Sequence, residues 1–252
     1  GTLGTILTSP DGTTWTSRTS GTTNRLYGIA YGNSTFVSVG NSGTILTSSD
    51  GITWTSRTSG TSEQLSRVTY GNSTFVAVGI NGTILTSSDG ITWTSRTSGT
   101  SNWIGGVTYA NSIFVIVGEN GIILTSSDGT SWDNKTSGTT TDLSGLTYGN
   151  STFIAVGGDG ATYGTILTSS DGTTWTTKTS GSTYANWGTT YGNSTFVTVG
   201  PSGSIFTSSD GTTWTSRTSG ITNHMWGVTY GNNTFVTVSY GGDILTSSDG
   251  IS

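Results

Sequence analysis

The chain has 252 residues, a formal net charge of −5 at pH 7, 8% charged residues, 40 glycines and no cysteine. This acidic balance excludes nucleic-acid binding, which draws on clustered Lys and Arg, and no apolar run approaches the ~20 residues of a membrane-spanning helix. Nine Trp, ten Tyr and seven Phe recur among Thr, Val and Ile, which excludes a disordered chain and suits half-buried strands joined by glycine turns. The class is all-β. Gly1 stands where a Met would, with no signal peptide after it, and predicts a processed form or an excised piece.

In chain order, the opening GTILTSPDG reads as a strand running into a hairpin at Asp11-Gly12, with a second strand from Trp15. A complete four-stranded unit follows. Strand A runs from about Leu26 to Tyr31 and turns at Gly32-Asn33-Ser34; strand B is Thr35 to Val39, turned by Gly40 to Gly43. Strand C is Thr44 to Ser48, and the Asp50-Gly51 hairpin leads to strand D, Thr53 to Thr58. The FVxV runs of strand B are apolar on both sides and predict a strand packed between neighbouring sheets. Strand D is mostly hydroxyl-bearing and suits an outer edge.

The unit then repeats. The hairpin aspartates are Asp11, Asp50, Asp89, Asp128, Asp171, Asp210 and Asp249, at intervals of 39, 39, 39, 43, 39 and 39 residues. Four extra residues within Gly157 to Gly164 make the long interval. The period, with no 3.6-residue pattern, predicts an array of four-stranded antiparallel blades. Counting gives six A, six B, seven C and six D strands. The expected fold is a six-bladed β-propeller, one domain over residues 1–252, its ring closed by N- and C-terminal strands. Closure pairs the last C strand with the D strand at Trp15, or the N-terminal C and D strands with the C-terminal A and B. One C strand is then surplus; a seven-bladed ring would need three further strands.

The S-x-D-G-x-x-W segment resembles the Asp-box, the hairpin motif of sialidase-type and related bacterial propellers. The wider pattern YGNSTFVAVG–NGTILTSSDGITWTSRTSGT is similar to Asp-box repeats of bacterial secreted and cell-surface proteins and covers essentially the whole chain. The resemblance implies this fold and an extracellular or cell-surface setting, not an activity. A sialidase site would need an arginine cluster, a tyrosine nucleophile beside a glutamate, and an acid/base aspartate. Six of the eight basic residues, Arg18, Arg57, Arg96, Lys135, Lys178 and Arg217, follow the hairpin tryptophans as a rim, leaving only Arg25 and Arg67; the glutamates are Glu63 and Glu119. That pattern is absent, so the chain is expected not to be an enzyme. His224 is the sole histidine, and each hairpin aspartate lacks companion carboxylates, so no metal site and no cofactor is expected.

The copies agree except in two places. One is the start of strand A, which holds Arg25 and Tyr27, Gln64, Trp103, Asp142, Tyr184 and Trp187, and His224 and Trp226 in successive copies, with Arg67 just beyond. The other is the B–C loop, including the insertion with Asp159 and Tyr163. In an up-and-down blade both emerge on one face, while the uniform A–B and Asp-Gly turns emerge on the other. Exposed aromatic residues interleaved with polar ones suit sugar recognition, rings stacking on pyranose faces and polar groups orienting hydroxyls. The expectation is a lectin-like binding module for a glycan or cell-surface ligand, with Trp103, Trp187, Trp226, Tyr27 and Tyr184 as platforms and Arg25, Gln64, Arg67, Asp142 and His224 as polar contacts. The alternatives are a structural subunit or spacer of an extracellular filament or surface layer, self-associating through the surplus edge strand, and an engineered scaffold without ligand.

Overall fold

The computed structural model describes residues 1–158, 164–179 and 181–251. Asp159 and Tyr163 of the insertion lie outside these described residues. β1 (Ile6–Thr8) and β2 (Thr16–Arg18) form a two-stranded sheet. Five four-stranded antiparallel sheets follow. The first is β3 (Leu26–Gly32), β4 (Thr35–Gly40), β5 (Ile45–Ser48) and β6 (Thr55–Arg57); the second is β7 (Leu65–Gly71), β8 (Thr74–Gly79), β9 (Ile84–Ser87) and β10 (Thr94–Arg96). The third is β11 (Ile104–Ala110), β12 (Ile113–Gly118), β13 (Ile123–Ser126) and β14 (Asp133–Lys135); the fourth is β15 (Leu143–Gly149), β16 (Thr152–Gly157), β17 (Thr165–Ser169) and β18 (Thr176–Thr179). The fifth is β19 (Gly188–Gly192), β20 (Thr195–Val199), β21 (Ser204–Ser208) and β22 (Thr215–Thr218). β23 (Met225–Gly231), β24 (Thr234–Ser239) and β25 (Ile244–Ser247) make a three-stranded sheet.

Among the described residues the strands number 25, as the repeat count predicts. Six sheets carry A, B and C strands and are the six expected blades, five of them complete. β2 pairs with β1, in register Ile6↔Arg18 to Thr8↔Thr16, and β25 pairs with β24 alone. β1 and β2 are joined by one short hairpin, whose closure costs little chain entropy.

Each blade is built from the same local devices. The A–B turn places Asn33 and Ser34 at φ 46° and 56°, the geometry of a type I′ hairpin, between the paired residues Gly32 and Thr35. At the C–D hairpin Asp50 Oδ1 accepts the backbone N–H groups of Ile52 (2.8 Å) and Thr53 (2.9 Å) and the Ser48 hydroxyl (2.9 Å). The Gly51 N–H donates to Ser48 Oγ at 2.9 Å, and Trp54 Nε1–H donates to the Gly51 carbonyl at 3.1 Å. One serine, one aspartate and one tryptophan thus satisfy the backbone of the turn, which is why the motif repeats. A three-ring ladder then ties strands A, B and D: Tyr70 to Phe75 at 4.6 Å and Phe75 to Trp93 at 6.4 Å between centroids. Its central phenylalanine is fully buried in four copies, Phe75, Phe114, Phe153 and Phe196.

The chain divides into two compact units, Gly1–Ile116 with Leu124–Asn134, and Val117–Ile123 with Lys135–Ser252. Within each, consecutive blades stack A strand on A strand. A Cβ on Gly32 would overlap the Tyr70 ring of the next blade, and one on Gly149 would overlap the Tyr191 ring. Side chains of the B strand fill the rest of the interface: Val37 and Val39 pack with Leu65, Val68 and Phe75 in the first unit, and Val197 and Val199 with Met225 and Phe235 in the second. Ile6 of β1 packs on Leu26 and Leu46, anchoring the two-stranded sheet to its neighbour.

The hairpin bonds predict an acid transition. Backbone N–H donors to the carboxylate, then the serine hydroxyl, hold Asp50 and Asp89 at about 2, well below the ordinary 3.8, and Asp11, Asp128, Asp171 and Asp210 shift in the same direction. Because the folded-state values are depressed, the stabilisation is complete above about pH 4 and is lost as pH falls through about 2. Thermal unfolding followed from pH 5 to pH 2 should show a falling midpoint, and Asp50→Asn with Asp89→Asn should flatten that fall. An unchanged midpoint across the range would contradict the assignment.

Candidate functional site

A bulge sets where the variable side chains go. The A–B ladder slips by one residue between Leu26 and Gly28, Leu65 and Arg67, Leu143 and Gly145, and Met225 and Gly227. The skipped residues are Tyr27, Ser66, Ser144 and Trp226. A bulged residue opposes no partner, so its side chain can vary without disturbing the pairing. The residue before it, Leu26, Leu65, Leu143 or Met225, is buried and anchors the strand. Trp187 takes the same position beside β19, where its N–H donates to the Val199 carbonyl at 2.8 Å.

Among the described residues, the B–C loops Asn41–Gly43, Ile80–Gly82, Glu119–Gly121 and Pro201–Gly203 are single turns bonded to the segments that lead into the A strands. The Asn41 N–H donates to the Arg25 carbonyl (2.9 Å) and the Gly43 N–H to the Glu63 carbonyl (2.8 Å). The Asn120 N–H donates to Asp142 Oδ1 at 2.9 Å, and the Ser202 N–H to His224 Nδ1 at 3.1 Å. The two variable patches therefore meet within each unit. Asp142 and His224 also have a structural duty there, holding a turn in place.

In the first unit the candidates around β3, β7 and β11 are brought together. The Arg25 guanidinium carbon stands 6.0 Å from the Tyr27 ring centroid, at the outer reach of a cation–π contact. Arg67 occupies a position that is glycine in the neighbouring blade, Gly28. It donates Nη1–H to the Ser66 carbonyl at 2.9 Å and to the Tyr27 carbonyl at 3.5 Å, and burial lowers its pKa. Trp103 Nε1–H donates to Ser66 Oγ at 2.8 Å. Arg67 is thus turned onto backbone carbonyls. Gln64 stands apart, half-buried, its carbonyl accepting the Ile80 N–H at 3.0 Å.

In the second unit Trp187 and Trp226 stack with centroids 4.7 Å apart and planes 14° from parallel. His224 meets Trp187 edge-on at 5.5 Å. Trp226 remains 49% exposed and Tyr184 46% exposed. Tyr184 is positioned by Ser182, whose hydroxyl donates to the Tyr184 carbonyl at 2.8 Å. Ser144 Oγ donates to the Asn186 carbonyl at 3.1 Å, linking β15 to the segment that carries Trp187.

Two grooves of about 560 and 610 Å³ occur in the first unit at equivalent positions of successive blades, one along Asn81, Arg96 and Ser98 and the other along Asn24, Arg57 and Ser59. Their repetition marks them as products of the blade geometry. They do not contain the expected aromatic platforms. The rim arginines beside them are held by strand C, Arg57 Nε–H donating to Thr47 Oγ1 and Arg96 Nε–H to Thr86 Oγ1, each at 2.8 Å. Among the described residues no group of three or more His, Cys, Asp or Glu is placed to hold a metal ion.

No family model and no curated protein matches the sequence. Solved structures do. A structure of YCF48 bound to D1 peptide superposes with a TM-score of 0.77 at 17% identity, over 100% of this chain and 88% of that one. YCF48 from Cyanidioschyzon merolae gives 0.74 at 17% identity, over 98% of this chain and 89% of the other. The WD40 β-propeller domain of Doa1 gives 0.71 at 13% identity, over 98% and 88%. At these identities the likeness is one of fold, and the fold is a β-propeller.

Asn186 is the one residue here that breaks its repeat without an evident gain. Other copies place Leu26, Leu65, Ile104, Leu143 and Met225 at this point, whereas Asn186 is fully buried and neither atom of its amide has a hydrogen-bond partner. An unpartnered buried amide costs ~1–3 kcal/mol. Asn186→Leu should therefore raise the unfolding free energy by about that amount in a urea titration. A loss of stability would contradict this reading.

Proposed function

We propose that this protein is a non-catalytic binding module that recognises a ligand through the variable starts of its A strands. The observation that carries the proposal is the Trp187–Trp226 stack, with Trp226 half exposed and His224 edge-on to Trp187. Burying rather than exposing such a ring is worth ~2–3 kcal/mol, so leaving an indole half in water is costly unless a partner covers it. A rigid blade framework carrying variable side chains at one end of each strand supplies position without supplying chemistry. No nucleophile–base pair is apparent among the candidates, and Asp142 and His224 are engaged by turn backbone.

The ligand class we infer is a glycan, because a flat indole backed by a second indole matches the apolar face of a pyranose, with amides and hydroxyls around it. From the resemblance of the hairpin pattern we further infer an Asp-box propeller of a secreted or cell-surface protein. A peptide ligand is the second reading. It is favoured by the solved YCF48 structure, which holds a D1 peptide on the same fold.

A glycan array, followed by calorimetry on the strongest hit, tests the first reading. Trp187→Ala or Trp226→Ala should weaken that affinity at least ~10-fold, the ~1–3 kcal/mol expected of one stacking platform. Tyr31→Ala, on a different blade, should leave it unchanged. An affinity indifferent to both tryptophans would move the site elsewhere. Binding of peptides and not of glycans would select the second reading.

A further inference from the structure

One inner strand carries a charge where the other copies have no side chain. The second residue after the anchor position is Gly28, Gly106, Gly145, Gly188 and Gly227 in five blades, and Arg67 in the blade of β7. Burial lowers the Arg67 pKa, yet a guanidinium stays charged at any ordinary pH and cannot shed its proton to escape that cost. Both of its hydrogen bonds leave Nη1, to the Ser66 carbonyl at 2.9 Å and the Tyr27 carbonyl at 3.5 Å. Among the described residues its Nε and Nη2 donors have no acceptor, and no carboxylate is paired with it. Glu63 instead accepts Asn81 Nδ2–H at 2.9 Å, and Asp50 and Asp89 are held in their own hairpins. A buried cation without an anion is costly, a cost that five copies avoid with glycine. Two rings share the spot. Trp103 is oriented by its Nε1–H bond to Ser66 Oγ at 2.8 Å, and Tyr27, whose carbonyl Arg67 holds, has the Arg25 guanidinium carbon 6.0 Å from its ring centroid.

We propose that the first unit holds a second ligand site, built on Arg67, Trp103 and Tyr27, which takes an acidic sugar of the uronic acid class. The sugar carboxylate accepts from the Nε and Nη2 edge of Arg67, a planar fork that bonds the two oxygens of a carboxylate as a pair. A carboxylate brings one negative charge, the amount that Arg67 leaves uncompensated, whereas a phosphate monoester brings closer to two. The rings beside the guanidinium give the pyranose an apolar face to lie on. Arg25 is exposed, so its attraction is screened by water and salt and adds less. The site rests on the reading of the A-strand starts as a glycan-binding surface, but it shares no residue with the Trp187–Trp226 stack.

Titration with glucuronate, with glucose and with a short peptide bearing a free C-terminal carboxylate tests it, followed by the Trp103 indole N–H resonance. Trp103→Phe assigns that resonance. Glucuronate should shift it and glucose should not. Arg67→Met, which keeps the aliphatic stem and removes the fork, should weaken glucuronate at least ~10-fold, and Arg67→Lys, a charge without a fork, by less. Trp226→Ala should leave glucuronate binding unchanged, which separates a failure of this site from a failure of the other. Without ligand, Arg67→Met should resist urea no less than the wild-type chain, because the unpaired buried cation is gone. Should Met crowd the strand, Arg67→Gly restores the residue of the other copies. A marked loss of stability in both variants would make Arg67 a structural group and overturn the proposal. So would a Trp103 resonance unmoved by glucuronate, an equal response to glucose, an affinity indifferent to Arg67, or a response to the peptide alone.

Discussion

The structure depends on a tyrosine ring resting where the neighbouring strand has no side chain. Each inner strand ends in Tyr-Gly or, once, Tyr-Ala. Within a unit, the tyrosine of one blade covers the glycine of the blade before it. This brings inner strands close enough for the B-strand valines to interlock, and it explains why both residues persist while the start of the same strand varies. The tyrosine also begins the ladder to phenylalanine and tryptophan inside its own blade. One residue therefore joins blade to blade and strand A to strands B and D.

The division of labour along strand A follows from this. Its C-terminal half is committed to packing, and its N-terminal end is released from the ladder by a bulge. Tyr27, Ser66, Ser144 and Trp226 can differ in type because a slip in register takes each out of the A–B pairing. The same end carries the Trp187–Trp226 stack. Variation is concentrated outside the A–B pairing, the arrangement expected of a scaffold that presents side chains to a partner. Asn186 is the exception, a polar residue inside the anchor position itself.

Much of this was legible in the sequence because it is local. The spacing of the Asp-Gly hairpins fixed the period, and the strand count and the roles of serine, aspartate and tryptophan followed from turn chemistry over a few residues. The meeting of the B–C loop with the start of strand A was also legible, from the alternation of an up-and-down blade. The bulge was not, because Tyr27, Ser66, Ser144 and Trp226 share no chemistry that marks a register slip. The turn-holding duties of Asp142 and His224 depend on residues some twenty positions away and have no motif.

The packing claim is tested most directly by one substitution made at two equivalent glycines, neither of which has a left-handed backbone. Gly149→Val pushes a side chain into the Tyr191 ring, whereas Gly231→Val points into open space. Urea unfolding at low protein concentration should show Gly149→Val losing ~3 kcal/mol or more, the upper end of overpacking costs, and Gly231→Val changing by no more than ~0.5 kcal/mol. Equal losses at the two positions would mean that the tyrosine-on-glycine contact is not what holds the blades together.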